Sequence, residues 1–350
     1  MTPNPVRSEA LRRFAADALG DPDIVVEPAS ADASFRSYWR VSGAHGRRIV
    51  MDAPPGKEDI GPWLEIGARL RNAGLHAPEV HAVDRAQGFV LMEDLGTRDY
   101  LSALDAASAD ALYADALDAL LRMQTHVDTA GLPAFDEAFL TMELELMPEW
   151  FLRRHLGHAI ECEEWDVIED AFVRLIHALR AQPQTFMHRD YHSRNLLVVA
   201  AAPGVPPAAP ANPGVIDFQG AVIGPIGYDL AALLRDCYIA WEPERVEGWV
   251  EAYRLRLRHA HLIDGTHVDA ARFRRWFDLA GLQRHLKVLG LFCRLWYRDG
   301  KQQYLADLPL VWRYVITVAR GYAEFALLAD LLERALGARD LTQPRAEAAA

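Results

Sequence analysis

Met187-His188-Arg189-Asp190-Tyr191-His192-Ser193-Arg194-Asn195-Leu196-Leu197 and, after a spacer, Gly214-Val215-Ile216-Asp217-Phe218-Gln219 are the stretches that decide the fold. The first spells His-x-Asp-x-x-x-x-Asn, and the second is an apolar run interrupted by aspartate. The spacing alone arises by chance in on the order of one such chain in a hundred, so the flanks carry the argument. Upstream, Trp165, Ile168, Phe172, Leu175, Ile176 and Leu179 recur at helical spacing, and a buried helix therefore runs into the motif. Downstream, Leu196 to Val199 and Val215 to Phe218 read as two short strands, which sets Asn195 and Asp217 at neighbouring strand ends.

The bulk properties narrow the field. A chain of 350 residues holds two or three ordinary domains or one bilobal enzyme. A net charge of −12 argues against a general nucleic-acid or anionic-membrane surface. Cys162, Cys237 and Cys293 are scattered without metal or disulfide spacing and read as free thiols of a reducing compartment. Met1 to Gly20 is amphipathic with no signal-peptide core, and no run is apolar enough to span a membrane, so a cytoplasmic protein is expected. Lys57, Lys287 and Lys301 are the only lysines.

The two opening stretches resemble the catalytic loop and metal-binding aspartate of kinase-like phosphotransferases. That resemblance implies an α+β, bilobal, protein-kinase-like fold: a small β-rich N-lobe over 1–96 and a large helical C-lobe over 97–340. It makes Asp190 the acceptor of the attacking hydroxyl's proton. Asn195 and Asp217 become the ligands that hold Mg²⁺ against ATP, with His188 as a brace beneath the loop. Arg194 and Arg36 are the candidate cations facing the transferring phosphoryl group.

The small lobe departs from the usual pattern in two places. Pro28 to Arg36, where a glycine-rich phosphate loop belongs, contains no glycine, and Ser34 and Arg36 are the candidates to replace it. Met51 stands where the third strand ordinarily carries a phosphate-binding lysine; Lys57, Arg36 and Arg48 remain open as substitutes. Glu58 to Ala73 reads as a helix with Leu64 and Leu70 inward and Glu65 as a candidate partner for that cation. The strand Gly88 to Met92 runs into Glu93-Asp94-Leu95-Gly96, which resembles the hinge whose backbone at Glu93 and Leu95 meets adenine.

Beyond Tyr100 the periodicity is helical: Ser108 to Thr125, Phe139 to Leu156, Glu244 to Ile263, Val268 to Tyr297 and Leu308 to Leu336. Residues 200–213 read as a flexible insertion and 341–350 as a fraying tail. For Asp229, after the turn Gly224-Pro225-Ile226-Gly227, the kinase-like resemblance implies an acceptor of hydrogen bonds from the catalytic loop; a helix N-terminal charge favourable to the dipole is the alternative reading.

With both lobes read, the chain resembles the aminoglycoside phosphotransferase superfamily throughout. Met51-Asp52-Ala53-Pro54-Pro55, Tyr228-Asp229-Leu230, Arg235-Asp236-Cys237-Tyr238 and Trp296-Tyr297-Arg298-Asp299-Gly300-Lys301 narrow this to its anomeric amino-sugar kinases. The resemblance implies an ATP- and Mg²⁺-dependent monomer that phosphorylates C1 of N-acetylmuramate or N-acetylglucosamine in peptidoglycan recycling. His192, Arg235 and Arg294 are the candidate substrate contacts. Two alternatives stand beside it: a kinase of the same fold for an aminoglycoside, homoserine or choline, which Glu143, Glu145 and Glu149 keep open, and a nucleotide-binding pseudokinase.

Overall fold

The computed structural model describes residues 5–31, 35–44, 46–199 and 212–345. The chain divides into two compact units, residues 1–122 with 194–220, and residues 123–193 with 221–350.

The first unit is built on an antiparallel sheet of five strands in the order β1-β2-β3-β5-β4. Helix α1 (Pro5–Leu19) precedes β1 (Val25–Ala31), β2 (Ser37–Gly43) and β3 (Gly46–Asp52); α2 (Gly61–Asn72) then leads to β4 (Val80–Asp84) and β5 (Phe89–Glu93). Leu11 and Ala15 of α1 bury themselves on Val41, Val50, Phe89 and Leu91 of the sheet. Met51 is wholly buried, paired with Tyr38 and Val90. A lysine would find no water there, which explains the methionine. Helix α2 turns Trp63, Ile66, Gly67 and Leu70 inward, whereas Leu64 is only half-buried, so its inner face is rotated from the Leu64–Leu70 stripe. Helices α3 (Tyr100–Ala103) and α4 (Ala109–His126) follow, and this unit ends within α4.

The second unit is mostly helical. It holds α5 (Glu137–Leu144), a π-helical segment (Met147–Leu156), α6 (Cys162–Arg180), β6 (Gln184–Met187), β9 (Val222–Pro225), α7 (Tyr228–Leu234), α8 (Pro243–His259), α9 (Ala270–Tyr297), α10 (Leu308–Gly321) and α11 (Ala326–Leu336). The sequence suggests one helix over 139–156. It breaks at Leu144 because Pro148 has no N–H for the regular ladder and the following turns widen. The stretch 308–336 likewise divides, at Tyr322, whose extended φ of −131° ends α10. Residues 341–345, expected to fray, are tied down: Leu341 is buried, its carbonyl accepts from His155 Nε2 at 3.0 Å, and the Arg345 N–H donates to Tyr297 Oη at 2.8 Å. The expected insertion lies outside the described residues except at 212 and 213. Among the described residues no helix is long and apolar enough to cross a membrane.

Helix α9 is the axis of the second unit, buried over most of Phe273 to Cys293. Gly290 allows the π-helical segment to pass against its backbone: a Cβ there would lie 2.1 Å from the Leu146 carbonyl oxygen. Gly290→Ala is therefore expected to lower the unfolding free energy by about 1–3 kcal/mol or more, read by chemical denaturation.

Candidate active site

The first unit contains a cavity of about 360 Å³, within the range that small-molecule sites take up. Arg40, Ile49, Glu93, Leu95, Asn195 and Asp217 all lie in its wall. The hinge is fixed by ion pairs. Arg40 forks onto Asp94 with 2.8 and 3.2 Å contacts, and Glu93 meets His76 Nε2 at 3.0 Å while accepting the Glu79 N–H at 3.2 Å. The side chains of Glu93 and Asp94 are thus committed to bracing.

Asn195 and Asp217 reach this wall through a short hairpin, β7 (Leu196–Leu197) with β8 (Gly214–Val215), both strands shorter than their apolar runs suggest. Ile216 N–H donates to the Asn195 carbonyl at 3.1 Å, bringing the two side chains together: Asn195 Nδ2 lies 3.4 Å from Asp217 Oδ2. Gln219 Nε2 donates to Asp217 Oδ1 at 2.8 Å, and Arg36 Nη2 stands 3.6 Å from the same oxygen. Asp217 has φ of +62°, a left-handed conformation that costs energy and persists only where its surroundings enforce it. The enforcement comes from Phe218, fully buried with its ring 5.3 Å from Trp63. Gly67 of α2 makes the room; a Cβ there would meet the Phe218 ring at 3.1 Å.

The donor set suits a hard cation. Among the described residues no three His, Cys, Asp or Glu side chains cluster as a metal cage. One carboxylate and one carboxamide oxygen match Mg²⁺, which keeps waters and phosphate oxygens as its other ligands.

In the second unit, residues 188–193 run through a loop whose backbone is held at both ends by buried carboxylates. Asp229, at the start of α7, accepts the N–H groups of His188 at 2.6 Å and Arg189 at 3.0 Å. Asp236 accepts the Ser193 N–H at 2.9 Å and also its hydroxyl. His188 packs beneath, its ring edge-on to Tyr191 and its Nδ1 accepting the Asp190 N–H at 3.3 Å. Arg189, at φ of +76°, lays its guanidinium over Phe139 and pairs with Glu143 at 2.8 Å.

Asp190 keeps 41% of its side chain exposed, so a reactant has access to it. Enclosure by protein pushes its carboxyl up, but Lys287 and Arg284, then His192 and Arg189, outweigh this and hold it well below the usual carboxylate range. Arg284 Nη1 lies 3.4 Å from Asp190 Oδ1 and donates to the Arg189 carbonyl at 2.7 Å. Lys287 Nζ lies 3.0 Å from Glu143.

The expected site residues are thus distributed. Arg36, Glu93, Leu95, Arg194, Asn195 and Asp217 belong to the first unit, the last five in its cavity wall. Ser34 lies outside the described residues. Of the three substitutes for the strand lysine, Arg36 is the one paired with Asp217; Lys57 covers the Phe35 ring and Arg48 donates to the Arg47 carbonyl. Glu65 pairs with Arg69 in its own helix. In the second unit His192 stands edge-on to Tyr238. Arg235 is buried in an ion pair with Asp278 at 2.6 Å. Arg294 sits ten residues beyond Arg284 on α9, about 15 Å along the helix. Glu143 is no open acidic subsite, because Arg189 and Lys287 neutralise it in the interior. The sequence reading gave no role to Trp63, Gly67, Asp236, Arg284 or Lys287; Asp229 was the one partner of the loop that it named, and the seven-residue spacing from Asp229 to Asp236, about two helical turns, is a signal that could have found the second.

A five-stranded sheet bearing a cavity, an aspartate in a His-x-Asp loop, and an Asn–Asp pair for a hard cation define a kinase-like phosphotransferase. Residues 25–263 match the phosphotransferase enzyme family, APH, and the chain belongs to that family. It is 42% identical to the N-acetylmuramate/N-acetylglucosamine kinase of Pseudomonas putida over 312 residues, covering 89% of this chain and 88% of the relative. The kinase of the same name from Pseudomonas aeruginosa is also 42% identical, covering 91% of each chain, and that of Neisseria meningitidis 36%, covering 96% and 98%. Among solved structures, choline kinase from Cryptosporidium parvum superposes with a TM-score of 0.61 at 11% identity, covering 93% of this chain and 99% of that one. ADP-bound aminoglycoside phosphotransferase APH(2'')-Ib gives 0.57 at 14% identity, covering 89% and 98%.

Burial raises the Asp229 carboxyl to about 7, against the pull of its two N–H donors and Arg284. The unfolded carboxyl releases its proton near 3.8, so between these values the folded state holds an extra proton and stability falls as pH rises. Asp229→Asn is expected to remove that component of the slope, measured by denaturant unfolding across this window.

Proposed function

We propose that the protein transfers the γ-phosphoryl group of ATP to the anomeric C1 hydroxyl of N-acetylmuramate and N-acetylglucosamine, giving the α-1-phosphates in peptidoglycan recycling. The observation that carries the chemistry is Asp190: an accessible carboxylate kept anionic by surrounding cations, five residues before an asparagine that lines the cavity beside Asp217. Identity of 42% over about nine-tenths of both chains supports the amino-sugar acceptor. Glu143, one of the three glutamates that kept a cationic aminoglycoside open, is neutralised by Arg189 and Lys287.

In this reading the cavity takes ATP, its base edge paired to backbone at Glu93 and Leu95. Asp190 orients the acceptor hydroxyl and takes its proton while the new O–P bond forms and the bond to the bridging oxygen of ADP breaks. Asn195 and Asp217 would hold Mg²⁺, which when bound offsets phosphate charge. Arg36 replaces the strand lysine, and with Arg194 it offsets charge on the transferring group. Positioning and electrostatics supply most of the rate.

Mg-ATP with N-acetylmuramate or N-acetylglucosamine should release ADP and give an anomeric ³¹P signal, while glucose and kanamycin give none. Turnover on kanamycin alone would overturn the acceptor assignment and leave the catalytic residues standing. Asp190→Asn should lower turnover by about two to four orders of magnitude with ATP binding retained. Gly67→Val, by displacing Phe218, should raise the Mg²⁺ concentration for half-maximal turnover by about tenfold or more in a metal titration.

A further inference from the structure

Helix α9 supplies the catalytic loop with a group that none of the motifs includes. Arg284 is nearly fully buried, at 3% exposure, in a unit where burying a guanidinium is costly unless its charge is used. Its Nη1 donates to the Arg189 carbonyl at 2.7 Å and stands 3.4 Å from Asp190 Oδ1. Its Nε finds no acceptor. Besides the Tyr228 ring, over which it lies at 5.8 Å, the guanidinium meets one backbone carbonyl and one half-open carboxylate.

The carbonyl it grips belongs to the residue that most needs holding. Arg189 is left-handed at φ of +76°, a conformation that a side chain other than glycine or asparagine adopts only under restraint. Asp229 holds the N–H of that residue and Arg284 its C=O, so the peptide planes on both sides of Arg189 are fixed from two helices. Asp190 follows directly, and its direction is set by those planes.

We infer that Arg284 is the positioning residue of the Asp190 base, fixing the backbone that aims the carboxylate and keeping that carboxylate anionic for proton transfer. The inference rests on Asp190 acting as the base in the proposed reaction. The charged and titratable groups around Asp190 are Arg189 and His192 on its own loop, Arg284 and Lys287 on α9, Tyr228 and Asp229 on α7, and Cys237 just beyond α7. Lys287 divides its charge between Asp190 and Glu143, with which it forms a 3.0 Å ion pair. Of these two α9 cations, Arg284 also grips the loop backbone, at the Arg189 carbonyl.

The test is a double-mutant cycle on the full chain, with pH profiles of kcat/KM. Arg284→Met should lower kcat by about 10–100-fold with KM for ATP nearly unchanged. It should move the acid limb of the profile upward from below about pH 4 toward the ordinary range of a carboxylate or beyond, and Arg284→Lys should recover part of the rate. In an Asp190→Asn background, Arg284→Met should cost less than about threefold further, since its effect passes through that carboxylate. Independent, multiplicative losses or an unmoved acid limb would overturn the inference while Asp190 keeps its role. If Arg284→Met does not fold, the rate of Arg284→Lys decides, because lysine keeps the charge and loses the fork: a lowered kcat that disappears in the Asp190→Asn background supports the inference, and an unchanged kcat overturns it. Near-normal turnover of Asp190→Asn alone would remove the base assignment and this inference with it.

Discussion

Residues 188–193 have no ladder to satisfy their backbone, and the direction in which Asp190 points depends on how that is resolved. Buried N–H groups must find acceptors, and here the acceptors are carboxylates at either end of one short helix: Asp229 takes two N–H groups and Asp236 takes one, with a hydroxyl in addition. A carboxylate with two oxygens can hold two successive peptides, which a single carbonyl does less readily. The left-handed turn at Arg189 is affordable because of this clamp, and the turn presents Asp190 to solvent while His188 points inward.

Charge follows the same logic. Arg189, Arg284 and Lys287 lie close to Asp190 and Glu143, mostly buried, and Glu143 absorbs two of the three cations. Removing Glu143 would leave Arg189 and Lys287 without their carboxylate partner in the interior. Beside it, the cations hold the Asp190 carboxyl below the usual carboxylate range.

The first unit does without the two features that ordinarily bind nucleotide phosphates in this fold. The strand position of the lysine is sealed in the core as Met51, while Arg36, just before β2, stands 3.6 Å from Asp217. Asp217 itself is held in a strained conformation by burial of its neighbour Phe218 under Trp63 and Gly67.

Local pattern carried the sequence reading a long way. The His-x-Asp-x-x-x-x-Asn spacing, the apolar run before Asp217, the sheet followed by helices, and Asp229 after a glycine turn are all encoded within a few residues, where sterics and hydrogen bonding act between chain neighbours. The break at Pro148 was legible too, and missed because apolar periodicity continues through it. Arg235 was read as a pocket residue on its charge, yet Asp278, 43 residues away, takes that charge into the core. Arg284 reaches Asp190 across 94 residues, and the contact exists only because α9 packs through the centre of its unit. By itself the sequence determined the fold class and nominated Asp190, Asn195 and Asp217 for the chemistry, since both rest on local spacing. Which cation meets which carboxylate was decided by tertiary packing alone, because Coulomb and hydrogen-bond partners are chosen by distance in space.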